Sequence, residues 1–152
     1  MGTELTGATL TVTITEALAI GHDTTADARD FAQTCTHTFT GILNTSKRIF
    51  KLPNSNLNKL ISFGTTTADG VFVRADVRYI RVTNLDGTDA LQVGLDDEAS
   101  DAAYTSVAAN SSIMYTGVTC EGDNGGSTMD NATALKVKGI ANQQLEVFIA
   151  SV

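Results

Sequence analysis

Apolar and polar residues alternate with a period of two along several short segments of the chain. Residues 9–15 read Thr-Leu-Thr-Val-Thr-Ile-Thr, so that threonine and aliphatic residues strictly alternate. Successive side chains of a β-strand point to opposite faces of the sheet. This segment therefore predicts a strand with one solvated and one buried face. The same alternation returns in residues 34–40, 134–138 and 145–149.

Six further apolar runs are short and are bounded by residues that favour turns. Asp-Gly and Asn-Gly pairs between the runs tolerate the positive φ that tight turns require. Helical patterns are weak, and we expect at most one or two turns in residues 25–31 and 54–60. The six runs are residues 48–52, 59–63, 71–74, 78–82, 90–95 and 112–115.

Short strands separated by turns, with few helices, are typical of β-sandwiches and barrels. We expect an all-β fold, an antiparallel β-sandwich of about eight to ten strands. A jelly roll is the first choice, and an immunoglobulin-like sandwich is the alternative, although the chain has no tryptophan. Its 152 residues fit one domain, so we expect residues 1–152 to form a single β-sandwich domain.

The chain is acidic, with a formal net charge of −7. Residues 77–152 hold ten acids and four bases, whereas residues 1–76 hold seven and six. Nucleic acids and anionic membranes bind basic proteins, so we expect neither as a partner. The first residues lack the pattern of a signal peptide, and no apolar run approaches the roughly 20 residues of a membrane helix. We therefore expect that the chain is made in a cytoplasm and is soluble there.

The two cysteines, Cys35 and Cys120, match no metal-binding spacing. A disulfide between them is possible, but two buried free thiols are favoured. His37 falls on the strand face of Cys35 and Phe39, and a Cys–His pair could supply two metal ligands. Because zinc needs three or four ligands, a core histidine with its hydrogen bonds satisfied is favoured. We expect no metal and no cofactor.

Acidic and histidine-containing loops give no catalytic pattern. Residues 96–101 and 123–130 are rich in carboxylates that could bind Ca²⁺, but neither segment matches the EF-hand spacing, and solvated loops are favoured. His22 and Asp23 could form an acid–base pair, but no nucleophile motif accompanies them. We therefore expect that the protein is not an enzyme, with no catalytic residues.

Basic residues and one aromatic residue are the candidate partner contacts. The basic candidates cluster around the third predicted strand. Their favoured role is to keep the edge of that strand from pairing with another chain, and the alternative is that they bind an acidic partner protein. If the aliphatic residues of 145–149 face the core, Phe148 faces outward, which suggests a subunit contact; a strand buried on both faces would explain it equally well. The candidate contacts are Lys47, Arg48, Lys51, Lys59 and Phe148.

Four segments resemble small virion structural proteins of tailed bacteriophages, marine cyanophages especially. The strongest resemblance is in residues 77–86, a strand that runs into an Asn/Asp turn. Residues 47–53, 60–64 and 145–151 are also similar to segments of these proteins. The resemblance implies a β-sandwich or jelly-roll subunit that is present in many copies and binds other virion proteins. It carries no catalytic motif, so no residue inherits a role.

The function that we expect from this resemblance is that of a capsid cement (decoration) protein on the virion surface. Its partner would be the major capsid protein or another virion protein, and a homo-oligomer, dimer or trimer, would suit a symmetric shell. The alternative is a neck, tail or fibre module that binds a receptor or carbohydrate. The scarcity of aromatic residues, 6% of the chain, disfavours a carbohydrate site.

Overall fold

A computed structural model of the chain describes residues 7–18, 31–66, 72–96, 104–116 and 132–152. The chain divides into two compact units, Met1–Ile42 and Leu43–Val152. The elements, in chain order, are β1 (Ala8–Leu18), β2 (Phe31–Ile42), β3 (Asn44–Lys51), β4 (Asn58–Gly64), β5 (Phe72–Val73), a 3-10 helix (Arg74–Asp76), β6 (Val77–Asn84), β7 (Leu91–Asp96), β8 (Tyr104–Val107), β9 (Ser112–Thr116), β10 (Ala134–Lys138) and β11 (Gln144–Ser151).

The first unit contains a two-stranded antiparallel ribbon of β1 and β2. Directly opposed residues share a face, so Val12 lies beside His37 and Ile14 beside Cys35. Leu10, Val12 and Ile14 are half-buried, and the threonines of β1 are exposed. The predicted alternation in residues 9–15 is confirmed. Threonine suits such a pleated surface because it is β-branched.

The second unit contains two sheets. In the five-stranded sheet the order is β5-β4-β10-β7-β8, and in the four-stranded sheet it is β3-β11-β6-β9. All neighbouring strands are antiparallel except β4 and the two-residue β5, which are parallel. The outer strands in the described part of the four-stranded sheet are β3 and β9. Strand β3 carries three of the four candidate basic contacts, Lys47, Arg48 and Lys51, so these three lie on an edge strand.

Both sheets of the second unit contribute to one hydrophobic core. Alternation decides which residues enter it: Leu145, Val147 and Ile149 of β11 are buried, as predicted. Strand β10 follows the same rule with Leu135 and Val137. Removing such side chains from water is the main favourable term in folding. The predicted all-β sandwich is confirmed.

Two local expectations about the second unit need correction. Residues 54–60 form no helix, because Asn54 and Asn58 hydrogen-bond to nearby backbone and so compete with helical bonds. The amide of Asn56 donates to Asn54 Oδ1 over 2.9 Å, and Asn58 Nδ2 donates to the Asn56 carbonyl over 2.6 Å. Strand β8, Tyr104–Val107, was not expected from the sequence.

Two buried amide side chains, those of Asn84 and Gln143, form a polar cluster in the second unit. Asn84 is fully buried, and its Nδ2 donates to the carbonyls of Asp89 (2.8 Å), Val107 (3.3 Å) and Ala108 (3.1 Å). Gln143 is also buried, and its Nε2 donates to Asn84 Oδ1 and to the Asp89 carbonyl. Burying a polar group costs free energy unless it is hydrogen-bonded. Both side-chain amides are hydrogen-bonded, and their hydrogen bonds connect three loops.

Among the described residues, no helix is long and apolar enough to cross a membrane.

Candidate functional site

The four-stranded sheet presents an outer face centred on β11. Because Leu145, Val147 and Ile149 enter the core, the intervening Glu146 and Phe148 point outward. The strand register brings outward residues of all four strands into rows, the central row being Lys47, Phe148, Arg81 and Met114. We call this surface the Phe148 face. Its members are Lys47, Ile49, Lys51, Arg81, Met114, Glu146 and Phe148.

Phe148 is held in place by two neighbours on β6. Its ring meets that of Tyr79 edge to face, with centroids 5.9 Å apart and an interplanar angle of 61°. The guanidinium carbon of Arg81 lies 5.9 Å from the Phe148 ring centroid, within the range of a cation–π contact. Burial raises the pKa of Tyr79, and the charge of Arg81 opposes this shift. Phe148 is therefore half-buried and fixed, as an anchor for a partner would be.

Glu146 links two bases across the face. Its Oε1 accepts a hydrogen bond from Arg81 over 2.9 Å, and its Oε2 pairs with Lys47 Nζ over 3.1 Å. Burial raises the pKa of Glu146, but the hydrogen bonds and charges of Lys47 and Arg81 outweigh it, so that the net pKa is lowered. The Lys47 side chain remains 62% exposed. Its charge is therefore open to solvent even though it is paired.

Exposed apolar side chains flank this charged centre. Ile49, on the edge strand β3, is 65% exposed, and Met114 of β9 is 38% exposed. Three basic side chains and one carboxylate give the Phe148 face a formal charge of +2, whereas the whole chain carries −7. The face thus combines apolar side chains with a charge opposite to that of the chain. This combination suits an acidic protein surface.

The candidate partner contacts do not all lie together. Lys47, Lys51 and Phe148 share the Phe148 face, as their register shows. Arg48 is exposed on the same strand but is opposite Val147, so it points to the other side of the sheet. Lys59 lies on β4 in the five-stranded sheet, opposite Lys136.

Four members of the Phe148 face were not among the candidate contacts: Ile49, Arg81, Met114 and Glu146. The alternation along β11 already placed Glu146 beside Phe148 on the outward side. Ile49 could have been found from the sequence, because period-two alternation along β3 puts it between Lys47 and Lys51 on one face. Arg81 and Met114 depend on which strands pair with β11, and that pairing is set by non-local contacts. The local pattern of residues does not contain this information.

A second polar group lies on the five-stranded sheet. Asp96 is buried and forms an ion pair with Lys136. Tyr104 donates a hydrogen bond to Asp96; burial and this carboxylate raise the pKa of Tyr104, and Lys136 opposes the shift. The Asp96 carbonyl also accepts from the amide and hydroxyl of Thr133. These contacts join the ends of β7, β8 and β10.

The ribbon differs from expectation at two side chains. Cys35 and His37 share a face, as predicted, with Sγ and Nε2 3.3 Å apart, but both are exposed. The expectations of a buried Cys35 thiol and a core His37 are therefore wrong. A two-stranded ribbon has no second layer of its own to cover them.

Across the described ranges, no group of three or more His, Cys, Asp or Glu residues lies close enough to hold a metal ion. Several candidate residues lie outside the described part of the chain: His22, Asp23, Cys120 and the carboxylates of 97–101 and 123–130. The helical pattern predicted before Phe31 lies outside it as well.

Comparisons of the chain with protein-family models, with curated proteins and with solved structures give no match.

Proposed function

We propose that the chain is a structural subunit of a phage virion, a capsid cement protein that binds the outside of the major capsid lattice. The proposal is supported by where the segments that resemble virion proteins lie in the fold. Three of them, residues 47–53, 77–86 and 145–151, supply the adjacent strands β3, β6 and β11. These strands carry six of the seven members of the Phe148 face. The resemblance and the candidate surface thus coincide.

The chemistry of the Phe148 face supports an acidic protein partner. Phe148 is preorganised by Tyr79 and Arg81, so little side-chain entropy is lost when a partner covers it. Ile49 and Met114 add apolar area that is now in water. The positive charge would steer the acidic chain into one orientation on the capsid, with the Phe148 face inward.

The mechanism is the addition of contact area, without a chemical step. A specific protein interface buries at least about 1,000 Å² in total. Each copy would bridge neighbouring capsid subunits through such an interface. Many weak contacts on a fixed lattice reinforce one another through multivalency. A capsid covered in this way would require more force or heat to open.

The proposal is tested by binding of the purified protein to expanded capsids that lack it. The double variant Lys47→Ala/Lys51→Ala removes two charges from the Phe148 face. Its matched control, Lys59→Ala/Lys138→Ala, removes two charges from the five-stranded sheet. We expect co-sedimentation to show at least roughly tenfold weaker binding for the first variant, from the loss of about 1.4 kcal/mol, and near-normal binding for the control.

Two results of this experiment would contradict the proposal. Failure of the unaltered chain to bind capsids would remove the cement function. Equal weakening by the two double variants would show that net charge, and not the Phe148 face, governs binding.

A further inference from the structure

The exposed large apolar side chains of the second unit are concentrated on two surfaces. Ile49 and Met114 lie on the Phe148 face, as described above. Leu57 is 43% exposed, Leu85 41% and Ile140 45%, and all three lie in loops between strands. Apolar side chains that are exposed close together mark sites of protein contact, whereas single ones need no explanation. The question is therefore whether the three loop residues share one surface.

The loops that carry them lie at one end of the two sheets. Strand pairing in the four-stranded sheet places the ends of β3 and β6 beside the starts of β9 and β11. In the five-stranded sheet it places the ends of β8 and β10 beside the starts of β4 and β7. Four loops cross between the sheets there, and we call their surface the loop end. It comprises residues 52–57, 85–90, 108–111 and 139–143.

Hydrogen bonds between the loops hold the loop end in one shape. The amide of Leu52 donates to the carbonyl of Gln143 over 2.9 Å, and the amide of Leu85 donates to the carbonyl of Gln144 over 3.0 Å. The side chain of Gln143 also donates to the carbonyl of Asp89 over 2.9 Å. A surface that is already ordered loses little conformational entropy when a partner covers it. The loop end is preorganised in this sense.

The loop end is acidic. Its four loops contain Asp86 and Asp89 and no lysine or arginine, which gives a formal charge of −2. The amides of Asp89 and Thr88 each donate to Asp86 Oδ1 over 2.9 Å, and these hydrogen bonds hold the pKa of Asp86 below its usual value. Asp86 is therefore ionised at neutral pH. The charge of the loop end is opposite to that of the Phe148 face, which is +2.

We propose that the loop end of one copy of this chain binds the Phe148 face of a second copy. The contact joins surfaces of opposite charge and covers exposed apolar side chains on both of them. Pairing of two Phe148 faces, or of two loop ends, would bring like charges together and is disfavoured. The contact is therefore heterologous, and each pair of copies keeps one free surface of each kind. Further copies add to it until a ring closes.

The inference goes beyond capsid binding, although it involves the same face. A second copy and an acidic capsid surface would compete for the Phe148 face, whereas the loop end has no part in the proposed capsid contact. A variant altered at the loop end keeps the Phe148 face intact. Such a variant separates self-association from capsid binding.

The test is sedimentation velocity of the full chain from about 1 to about 300 µM, over which a weak contact of this kind fills. We expect the average mass of the unaltered chain to rise above the monomer mass of 15.9 kDa. Ile140→Lys puts a cation on the loop end, and Ile49→Glu puts a carboxylate on the Phe148 face. Each should weaken association at least roughly tenfold, because like charges then meet and apolar area is lost.

Matched controls carry the same charges elsewhere. Ser106 is exposed on β8, an outer strand in the described part of the five-stranded sheet, and belongs to neither surface. Ser106→Lys and Ser106→Glu should therefore associate like the unaltered chain.

A mixture of the two altered chains tests the heterologous geometry directly. Ile140→Lys keeps its Phe148 face, and Ile49→Glu keeps its loop end, so one copy of each can form a single contact. We expect each variant alone to be monomeric, and their equimolar mixture to form a complex of two chains that grows no further. An isologous contact would not produce this recovery.

Three results would each overturn the proposal: a monomeric unaltered chain, equal loss of association in the Ser106 variants, or a mixture that stays monomeric. Co-sedimentation with expanded capsids is measured separately, and Ile140→Lys should bind them as well as the unaltered chain does. Failure of both chains to bind capsids, with self-association of the unaltered chain intact, would remove the cement function and leave the contact between copies standing.

Discussion

Two buried side chains, those of Asn84 and Gln143, each form hydrogen bonds with several groups from different parts of the chain. Asn84 joins strand β6 to the loops before β7 and after β8, and Gln143 extends the connection to the turn before β11. The residue-level pattern of the sequence indicated that a turn follows Asn84. It did not indicate that the side chain is buried, because its acceptors come from up to 24 residues away.

Asn84→Ala should lower the free energy of unfolding by about 2–4 kcal/mol, since it removes the donor to the buried carbonyl of Val107 and to the carbonyls of Asp89 and Ala108. The neighbouring Thr83→Ala is the control. Its hydroxyl pairs with Ser112 Oγ over 2.8 Å in an exposed position, and its loss should cost less than about 1 kcal/mol. Urea unfolding measures both, and equal losses would contradict the structural role of Asn84.

Glu146 should make stability depend on pH. Its pKa is lowered in the folded chain, so the stabilisation is complete above the pKa of the unfolded chain, about 4.3. This contribution is lost as pH falls through the lower, folded pKa. We therefore expect the urea midpoint of the unaltered chain to fall more between pH 7 and pH 3 than that of Glu146→Gln. Lys47→Ala should fall between them, and identical pH profiles would contradict the ion-pair assignment.

At the scale of elements, the alternation of apolar and polar residues predicted most strands, but it did not predict which strands pair with one another in the sheets. The inward residues of β11 and the outward Phe148 followed from a period of two. Strand β8 escaped prediction because its four residues include a single fully buried apolar residue, Val107. Its pairing with β7 fixes it as a strand. The turn before β11 likewise depends on a contact with Gln143 that sequence spacing does not reveal.

Gly139 in that turn should not tolerate a larger residue. A Cβ atom there would collide with Gln143 Oε1 and would lie 2.9 Å from Leu52 Cδ1, and both of these residues are buried. Gly139→Ala should therefore cost about 1–3 kcal/mol of stability. Gly87→Ala is the control, because its nearest neighbour would be Asn110 Nδ2 at 3.8 Å. Thermal unfolding compares them, and a neutral Gly139→Ala would contradict the close packing described.

At the scale of the whole molecule, the sequence predicted the all-β class but not the order of strands. The orders β3-β11-β6-β9 and β5-β4-β10-β7-β8 join segments that are far apart in the chain. Many different strand pairings are compatible with the same local alternation, so long-range contacts decide which pairing forms. The division at Ile42 was also not indicated by any break in composition.

The second unit should fold without the first. A chain of residues 43–152 retains both sheets and every member of the hydrophobic core cluster. We expect it to unfold cooperatively in urea, as a small domain with one core does. Circular dichroism provides the test. Failure of 43–152 to fold would instead favour the expected single domain of 1–152.

The proposed cement function requires that many copies of this chain are present on each capsid. The most direct measurement is quantitative mass spectrometry of purified virions, which gives its copy number relative to the major capsid protein. We expect hundreds of copies per particle, on the order of the number of capsid subunits, because a cement protein follows lattice symmetry. About a dozen copies or fewer would indicate a neck, tail or fibre protein, and absence from virions would contradict the account altogether.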